Sequence, residues 1–525
     1  MNKVILLIAH CLLPAALPAQ TDDAQKYAAT ITRNDLRKHL IIVAGAEMEG
    51  RETGTPGQRK AAEYIEGQFK LLGLKPPPKI NSFQQTYTLY KDSLISASLK
   101  IGKKNYLFGN DFINNPYAIQ NPEIKAKKII FAGYGIADLN YDDYKGKDVT
   151  GKIVIFFTGE PKVNGNYLVT GSNKSSAWTF PGTSKKVALA KQKGAVAVFV
   201  INPSIENVST TTMESARKTN IYFPEQTANE KVNYTSILPS ISKQLFGEVL
   251  FNDMMKKALA GEPLNDFKIE IRTKTKFKYK KEQIPYYPTN VIGFIEGTDK
   301  KDEYVFLTAH YDHLGKRDTV IYYGADDNGS GTVSIIEMAE AFSKAKAEGK
   351  EPRRSIVFMT FSGEEKGLWG SEYYSDNPIF PLEKTSVDLN IDMVGRIDPG
   401  RTTGDSTNYL YVIGDDKLST DLKPISTNIN SKYTNLELDY KFNDPSDREQ
   451  IFFRSDHYNF AKKGVPVIFY FDGIHKDYHL PSDTVDKINF DLMEKRVRFI
   501  FLTAWEMANR ENMLKRDIPL PVIEE

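Results

Sequence analysis

Two adjacent glutamates end an apolar run in the sequence Ser355-Ile356-Val357-Phe358-Met359-Thr360-Phe361-Ser362-Gly363-Glu364-Glu365. A run of this length with almost no polar side chains is typical of a central β-strand that is covered on both faces. Open α/β sheets place their functional sites at the carboxyl ends of strands. The segment therefore predicts an α/β fold with a site at the end of this strand.

The same arrangement recurs along the second half of the chain. His310 follows a predicted strand over residues 303–308, Asp392 follows the apolar run 387–391, and His479 lies beyond the run 465–471. Five of the seven histidines fall between His310 and His479, close to the carboxylate motifs. Because imidazole and carboxylate groups are metal ligands, side chains at neighbouring strand ends predict one metal centre.

A glycine-rich turn supplies a further carboxylate, in Gly324-Ala325-Asp326-Asp327-Asn328-Gly329-Ser330-Gly331. Apolar residues recur at helical spacing over residues 332–345, so the turn precedes an amphipathic helix. An aspartate at this place is either a helix cap or a ligand. In an extended chain His310 and Asp312 point the same way, which allows Asp312 to orient the imidazole of a metal ligand.

The adjacent side chains of Glu364 and Glu365 diverge, so they are expected to have different roles. One would bind the metal ion and the other would carry a proton. The sequence lacks the residues that thiolate and serine mechanisms require. The chain has no Gly-x-Ser-x-Gly elbow and no His-Glu-x-x-His helix, and its single cysteine, Cys11, lies in the leader. Metal-assisted hydrolysis is the chemistry that these motifs favour.

Five segments together (residues 308–313, 324–331, 363–365, 390–393 and 477–479) resemble the M28 family of zinc aminopeptidases, which hold a co-catalytic metal pair. The resemblance implies a mixed, mostly parallel sheet sandwiched by helices, and two Zn²⁺ ions for which Co²⁺ or Mn²⁺ can substitute. It assigns His310 and Asp392 to one ion, Glu365 and His479 to the other. It makes Asp326 the shared ligand and Glu364 the general base.

Further roles follow from the same resemblance. Asp483 is a candidate partner that orients His479. The segment Arg454-Ser455-Asp456-His457-Tyr458 resembles one that lies near the substrate pocket, so Arg454, His457 and Tyr458 are candidate pocket residues. Some relatives carry a tyrosine a few residues before this segment, and this chain does not. His313 and His475 are interpreted as neighbours of the site and not as ligands.

Residues 1–19 have the pattern of a secretory signal peptide, with Lys3 before an apolar stretch and Ala19 before the expected cleavage. A lipid anchor on Cys11 is disfavoured because His10 occupies the place of a small residue. No later segment is long and apolar enough to span a membrane. We therefore expect an exported protein, periplasmic or secreted.

The remainder divides into three predicted parts. Residues 20–120 and 273–525 form a discontinuous peptidase domain, and residues 121–272, which alternate strands with turns, resemble a β-rich protease-associated (PA) domain. The formal net charge of +2 argues against nucleic acid as a partner. A basic run over residues 274–281 alternates at strand period and indicates a solvated strand face.

The function that these motifs favour is removal of N-terminal residues from peptides by a di-zinc aminopeptidase. A carboxypeptidase or dipeptidase of the same fold is the nearest alternative. A glutaminyl cyclase on a similar scaffold would use one metal ion. A non-catalytic receptor with a PA domain belongs to another class, and it would be expected to lack some of the ligands that are present here.

Overall fold

The computed structural model describes residues 22–114, 123–205, 207–224 and 233–520, so the predicted signal peptide lies outside the described residues. The helices are α1 Asp23–Ala28, α2 Arg33–Val43, α3 Pro56–Leu71, α4 Thr183–Gln192, α5 Thr210–Ser215, α6 Pro239–Phe246, α7 Glu248–Ala260, α8 Gly331–Ala347, α9 Trp369–Asp376, α10 Leu422–Tyr433, α11 His457–Ala461 and α12 Phe490–Asn509.

The strands of the first half are β1 Gln84–Thr86, β2 Leu89–Ile101, β3 Lys104–Tyr106, β4 Phe112–Asn114, β5 Glu123–Phe131, β6 Ile153–Phe157, β7 Lys162–Val163, β8 Asn166–Tyr167, β9 Ala197–Ile201, β10 Asn233–Ile237 and β11 Glu270–Tyr286. Those of the second half are β12 Thr289–Ile295, β13 Lys300–His310, β14 Lys316–Arg317, β15 Val320–Ile321, β16 Arg354–Phe361, β17 Thr385–Ile391, β18 Tyr409–Ile413, β19 Glu437–Asp439 and β20 Val467–Phe471.

The chain forms two compact units. One comprises the residues up to Tyr87 and from Tyr287 onward, and the other comprises Thr88–Tyr286. The first unit is thus discontinuous in sequence. The limits differ from the predicted 121–272, because the long strands β2 and β11 pair with each other over most of their length and both belong to the inserted unit.

The sheet of the first unit has the order β1-β12-β16-β13-β17-β20-β18-β19. Strands β16, β13, β17 and β20 are parallel neighbours, whereas β1, β12 and β18 are antiparallel to their neighbours nearer the centre. The mixed, mostly parallel sheet that the family resemblance implies is confirmed. Its four central parallel strands bring their carboxyl ends to one edge.

Alternate residues of the central strands enter two different cores. In β16, Ile356 and Phe358 join the core that contains residues of α2, α3, α8 and α12, while Val357 and Met359 join a core on the other face. All residues of β16 are buried. This two-sided burial explains why the strand reads as a continuous apolar run and not as an alternating one.

The predicted N-terminal helical segment also belongs to this unit. Thr55 caps α3, accepting a hydrogen bond from the amide of Gln58, and Pro56 occupies the first helical position, where its missing N–H costs nothing. Ile65 and Phe69 of α3 lie in the same core as the inner face of β16. The segment therefore completes one layer of helices over the sheet.

The inserted unit is built on a second sheet, of order β3-β2-β11-β5-β6-β9-β10-β4. Strands β5, β6, β9 and β10 are parallel, and the others pair antiparallel. The basic run 274–281 lies in β11, with Thr275, Phe277 and Tyr279 buried and the lysines between them on the outer face, as its alternation predicts.

Candidate metal centre

Acidic and imidazole side chains meet where the parallel strands of the first unit end. His310 is the last residue of β13, Asp392 follows β17, and Glu364 lies three residues beyond β16. The Nε2 atom of His310 lies 3.4 Å from Asp392 Oδ1 and 3.7 Å from Glu364 Oε2. These three side chains offer ligand atoms close enough for one ion. The structure therefore brings His310 and Asp392 together, and their sharing of one ion stays a prediction.

A second group adjoins the first. The Nε2 atom of His479 lies 3.2 Å from Glu365 Oε2, as expected for ligands of one ion. His313, interpreted from the sequence as a neighbour, lies inside this group, with Nδ1 at 2.7 Å from Glu365 Oε1. The ring N–H of His313 donates to that carboxylate and fixes its orientation. The position of His313, three residues after His310, did not indicate its contact with Glu365.

One carboxylate faces both groups, and it belongs to Asp327. Its Oδ1 lies 3.4 Å from His310 Nε2, and its Oδ2 lies 3.0 Å from His479 Nε2. The sequence-based assignment of Asp326 to this place does not agree with the structure. Asp326 Oδ1 accepts a hydrogen bond from the amide of Gly395, and its Oδ2 lies 3.2 Å from His475 Nε2.

The backbone explains why neighbouring aspartates separate. Asp327 has φ −98° and ψ 98°, which is not helical although the turn Ala325–Ser330 leads into α8. The next residue, Asn328, is not helical either, with φ −120° and ψ 50°. The two carboxylates are therefore directed to different surroundings, and the sequence pattern does not tell which one faces the pocket.

Asp312 supports the cluster in a way that differs from the prediction. The Nδ1–H of His310 donates to the backbone carbonyl of Asp312 at 3.1 Å, while the carboxylate lies farther away, at 3.7 Å. The carboxylate accepts instead from the Thr53 hydroxyl, at 2.6 Å, and from the amide of Glu364, at 3.2 Å. Asp312 thus fixes the His310 ring through its backbone and the Glu364 turn through its side chain.

Asp483 does not contact His479, contrary to the prediction. Its Oδ2 accepts hydrogen bonds from the amides of Asp326 and Asp327, at 3.0 and 3.1 Å. A buried carboxylate that receives two adjacent amides holds the turn in place. Asp483 therefore acts on the shared carboxylate through the backbone.

A contact that sequence reasoning missed lies on Asp392. The hydroxyl of Ser455 donates to Asp392 Oδ2 at 2.7 Å and accepts from the side-chain amide of Asn390 at 2.9 Å. This places Ser455 of the Arg454–Tyr458 segment behind the metal-facing carboxylate. A hydroxyl beside an acid has no spacing signal in the sequence.

A pocket opens over the cluster. Its lining includes Asp327, Glu364, Asp392 and His479, together with Met393, Ile451, Arg454, Phe469, Phe471, Ile474 and Tyr478. Of the predicted pocket residues, Arg454 lines it. His457 is buried and stacks on Phe469, with ring centroids 4.8 Å apart, and Tyr458 packs against Phe453. These two support the pocket wall from behind.

Tyr478 is a pocket residue that the sequence analysis did not single out. Its ring stacks on the His479 imidazole with centroids 3.9 Å apart, and its hydroxyl lies 3.4 Å from Arg454 Nη2. Burial raises the pKa of Tyr478 above its ordinary value, so the hydroxyl keeps its proton. A neutral hydrogen-bond donor and a guanidinium thus stand side by side in the pocket.

The charges of the cluster are strongly coupled. Burial raises the pKa of Glu364 well above its usual range, and the neighbouring Asp392 and Glu365 add to the effect. For His479 burial opposes protonation, but Asp327 and Glu365 outweigh it and raise the pKa to about 10. Buried acids of like charge therefore demand positive charge in the pocket.

The donor set fits divalent cations. No lysine or arginine nitrogen of the described residues lies within 4.0 Å of the carboxylates of Asp327, Glu364, Glu365 or Asp392. Within the part of the chain that the structure describes, buried atoms of this cluster, His310 Nε2 and Asp327 Oδ2 among them, have no hydrogen-bond partner. Such atoms are costly unless something fills the space between them. Oxygen and imidazole donors with no thiolate suit zinc, cobalt or manganese.

Residues 290–504, from the second strand of the sheet into α12, match the family model "Peptidase family M28". They carry every side chain of the cluster. Over these residues the chain is similar to peptidase family M28. The resemblance deduced from the motifs is thus confirmed for the part of the chain that bears the site.

Some curated relatives of the M28 domain are aminopeptidases by name, and others are named probable glutamate carboxypeptidases. A probable leucine aminopeptidase of Arthroderma otae is 30% identical over 216 residues, 40% of this chain and 55% of that protein. Aminopeptidase YwaD of Bacillus subtilis is 27% identical over 236 residues, 43% of this chain and 46% of that protein. The matched region thus spans about half the length of these relatives.

A solved structure agrees with the fold over most of the chain. The aminopeptidase from Aneurinibacillus sp. strain AM-1 aligns with 95% of this chain and 98% of its own, with a TM-score of 0.50 at 20% sequence identity. At this identity the likeness concerns the fold alone. Among the described residues no helix has the length and apolar character needed to cross a membrane.

Proposed function

We propose that this protein is a metal-dependent aminopeptidase that holds two zinc ions. The observation that carries the proposal is the position of Asp327, whose two carboxylate oxygens face two different histidines at 3.4 and 3.0 Å. His310 and Asp392 would hold one ion, and Glu365 and His479 the other, with Asp327 shared. The names of the relatives support the activity.

Zinc in such a pair supplies Lewis acidity, which lowers the pKa of a water molecule and polarises a carbonyl group. The protein must add a base that receives the proton of that water. Glu364 suits this task because its side chain lines the pocket beside the ligands, whereas Glu365 is engaged by His313 and His479. The amide of Glu364 is tied to Asp312, so the turn that presents the base is fixed.

Glu364 would deliver the same proton to the amine that leaves. A carboxylate within hydrogen-bond reach of both oxygen and nitrogen can serve as base and then as acid in one turnover. The Tyr478 hydroxyl and the Arg454 guanidinium lie next to each other in the pocket and would donate to the carbonyl oxygen as negative charge develops on it.

A preference for a free N-terminus is supported by the names of two relatives, a probable leucine aminopeptidase and aminopeptidase YwaD. The charge of the pocket does not decide between the two ends of a peptide, because two Zn²⁺ ions would balance the four carboxylates of Asp327, Glu364, Glu365 and Asp392. Carboxypeptidase action is the second candidate, because Arg454 offers a guanidinium that can bind a free carboxylate in a bidentate manner. The two readings differ in which end of a peptide is released.

The test uses amino-acid anilides and peptides blocked at either end, with and without a chelator. The proposal predicts release from free N-termini only, loss of release after chelation, and recovery on adding zinc. Cleavage of N-blocked peptides from the carboxyl end would establish the alternative. Protein that holds zinc but releases residues from neither end of a peptide would contradict both activities.

The export of the protein and the role of the inserted unit also remain proposals. A leader of the signal-peptide pattern supports export, and mass spectrometry of the protein recovered outside the cytoplasm should find an N-terminus at Gln20. The resemblance of residues 121–272 to a PA domain supports a role in limiting access of substrates. When such a module is removed, the turnover of short substrates should increase less than the turnover of long peptides.

A further inference from the structure

A second group of potential ligands lies in the first unit, apart from the M28 centre. It consists of His39 on α2 and of Glu337 and Glu340 on α8, and we call it the helix cluster. Glu337 and Glu340 are three residues apart, so they share a face of α8. Each of the three residues offers one ligand atom, and these atoms lie within 4.8 Å of one another.

The central side chain is a buried acid without a donor. The side chain of Glu337 is 1% exposed, and its Oε1 has no hydrogen-bond partner among the described residues. Burial raises the pKa of Glu337 to about 8, and Glu340 and Asp35 add to the effect. A buried carboxylate oxygen that no group satisfies is rare in folded proteins. The unsatisfied oxygen of Glu337 therefore indicates a bound group beside it.

The spacing to His39 suits two ligands of one ion. His39 Nε2 lies 3.5 Å from Glu337 Oε1, which is longer than the usual 2.7–3.2 Å of a hydrogen bond. Two donor atoms at about 2.0–2.1 Å from a tetrahedral ion lie about 3.4 Å apart. The same separation, 3.4 Å, joins His310 to Asp392 and to Asp327 in the M28 centre.

The ring of His39 is oriented as metal-binding imidazoles are. Its Nδ1 is hydrogen-bonded to the Tyr64 hydroxyl at 2.7 Å, which leaves Nε2 to face the acids. A polar partner on the other ring nitrogen fixes tautomer and orientation in many metal sites. Burial lowers the pKa of His39, which keeps the imidazole neutral, the form that ligates.

Two lysines belong to the surroundings. Lys344 pairs with Glu340 Oε1 at 2.6 Å, and Lys38 pairs with Asp35 at 2.6 Å. Neither contacts Glu337 within 4.0 Å. The side chain of Glu340 is 31% exposed, so the cluster is open to solvent on this side, and an ion has both a path of entry and room for a water ligand.

We propose that the helix cluster is a separate zinc site, with His39, Glu337 and Glu340 as its ligands and water completing the coordination. One imidazole and two carboxylates form a donor set that zinc accepts. The ion would join α2 to α8. It would lie outside the catalytic machinery and would stabilise the helical layer. The proposal does not depend on the activity assigned to the M28 centre.

The test compares bound zinc per chain after dialysis in a metal buffer that fixes free zinc. The purified protein is compared with His39→Gln and Glu340→Gln, and with Arg37→Gln as the control on an exposed part of α2. We expect one zinc ion fewer in both cluster variants, no change in the control, and unchanged peptidase turnover. Because Glu340 is partly exposed, this second variant retains the fold even if the first does not.

A second readout separates this site from the M28 centre. Zinc added to chelator-treated protein should raise the Tm of His310→Ala more than the Tm of His310→Ala combined with Glu340→Gln, because both variants retain Glu365 and His479 but only the first retains the helix cluster. Equal zinc content in the unsubstituted protein and both cluster variants would overturn the proposal. So would a zinc-dependent Tm that is independent of Glu340.

Discussion

Acidic side chains on the two sides of the turn at Asp326 and Asp327 have different kinds of partners. On the pocket side, the carboxylates of Asp327 and Glu365 meet imidazoles but no lysine or arginine of the described residues. On the buried side, acids meet donors of the protein itself. Asp326 accepts from the amide of Gly395, and Asp472 accepts from the amide of Arg396 and lies 3.3 Å from Arg496.

This difference separates a structural network from a site. On the buried side Asp326 and Asp472 each receive at least one amide or guanidinium donor, although Asp326 Oδ2 and Asp472 Oδ1 have no hydrogen-bond partner among the described residues. Among the described residues, the acids on the other side have no lysine or arginine within 4.0 Å, and the buried atoms His310 Nε2 and Asp327 Oδ2 have no hydrogen-bond partner. The pocket thus offers ligands that suit a cation, as the proposed zinc centre requires.

The largest effect is expected for the base. Glu364→Gln keeps the shape of the side chain but removes its capacity to take a proton, so kcat should fall by about 10²–10⁴ while the zinc content stays the same. Steady-state kinetics and metal analysis measure the two quantities. Glu383→Gln, an exposed acid of the same domain, is the control. A loss of zinc together with activity would make Glu364 a ligand and not a base.

Tyr478→Phe tests whether the pocket also supplies a donor for the carbonyl oxygen. Removal of one such donor should lower kcat by about 10²-fold with little change in KM. The stacking on His479 is retained by the phenylalanine ring, so zinc affinity should be unchanged. Full turnover in Tyr478→Phe would leave Arg454 as the remaining donor, and Arg454→Lys in the same assay would then show the loss.

Two histidines on opposite sides of the turn provide a direct comparison. His313 donates to Glu365 in the pocket, whereas His475 faces Asp326 on the buried side. His313→Gln should weaken zinc binding about 10- to 100-fold, since it removes the group that orients a ligand. His475→Gln should leave zinc affinity nearly unchanged. Competition with a chromophoric chelator measures both, and equal weakening would remove the distinction between the two sides.

The smallest effect concerns pH. Burial lowers the pKa of His457 to about 3, in contrast to His479 in the pocket, where Asp327 and Glu365 raise the pKa to about 10 despite burial. A depressed folded-state pKa gives stability that is present above about 6.5 and is lost as pH falls toward 3. The loss from this group at pH 5 is about 2 kcal/mol.

His457→Phe retains the stacking on Phe469 and removes the titrating group. Urea unfolding at pH 7 and pH 5 should therefore show a free energy of unfolding that falls less in the variant than in the unsubstituted protein. The same fall in both proteins would mean that the His457 imidazole does not titrate between these pH values in the way its burial predicts.

The strands and the approximate place of the cluster could be predicted from the sequence, because both depend on the types of residue along the chain. Continuous apolar runs predict β13, β16, β17 and β20, and acids or histidines at their ends predict where the site lies. The choice between Asp326 and Asp327 depends on the backbone angles of one turn, which no periodicity encodes. The predicted partner of His479 failed for a similar reason, because Asp483 is directed at two amides.

Residues that line or support a pocket are also poorly predicted. His457 and Tyr458 stand beside Ser455 in the sequence, but α11 carries them behind the pocket wall while Ser455 reaches Asp392. Tyr478 has no motif of its own and enters the pocket because its neighbour His479 does. Such positions are set by how loops pack, after the sheet has formed.

The central claim is that Asp327, and not Asp326, is the shared ligand of a two-zinc centre. We would measure zinc per chain and turnover for Asp327→Asn and Asp326→Asn, with circular dichroism to confirm that both are folded. Asp327→Asn should lose turnover and bind zinc weakly, and Asp326→Asn should retain the zinc of the unsubstituted protein and most of its turnover. Retained zinc and turnover in Asp327→Asn, with their loss in a folded Asp326→Asn, would contradict the account.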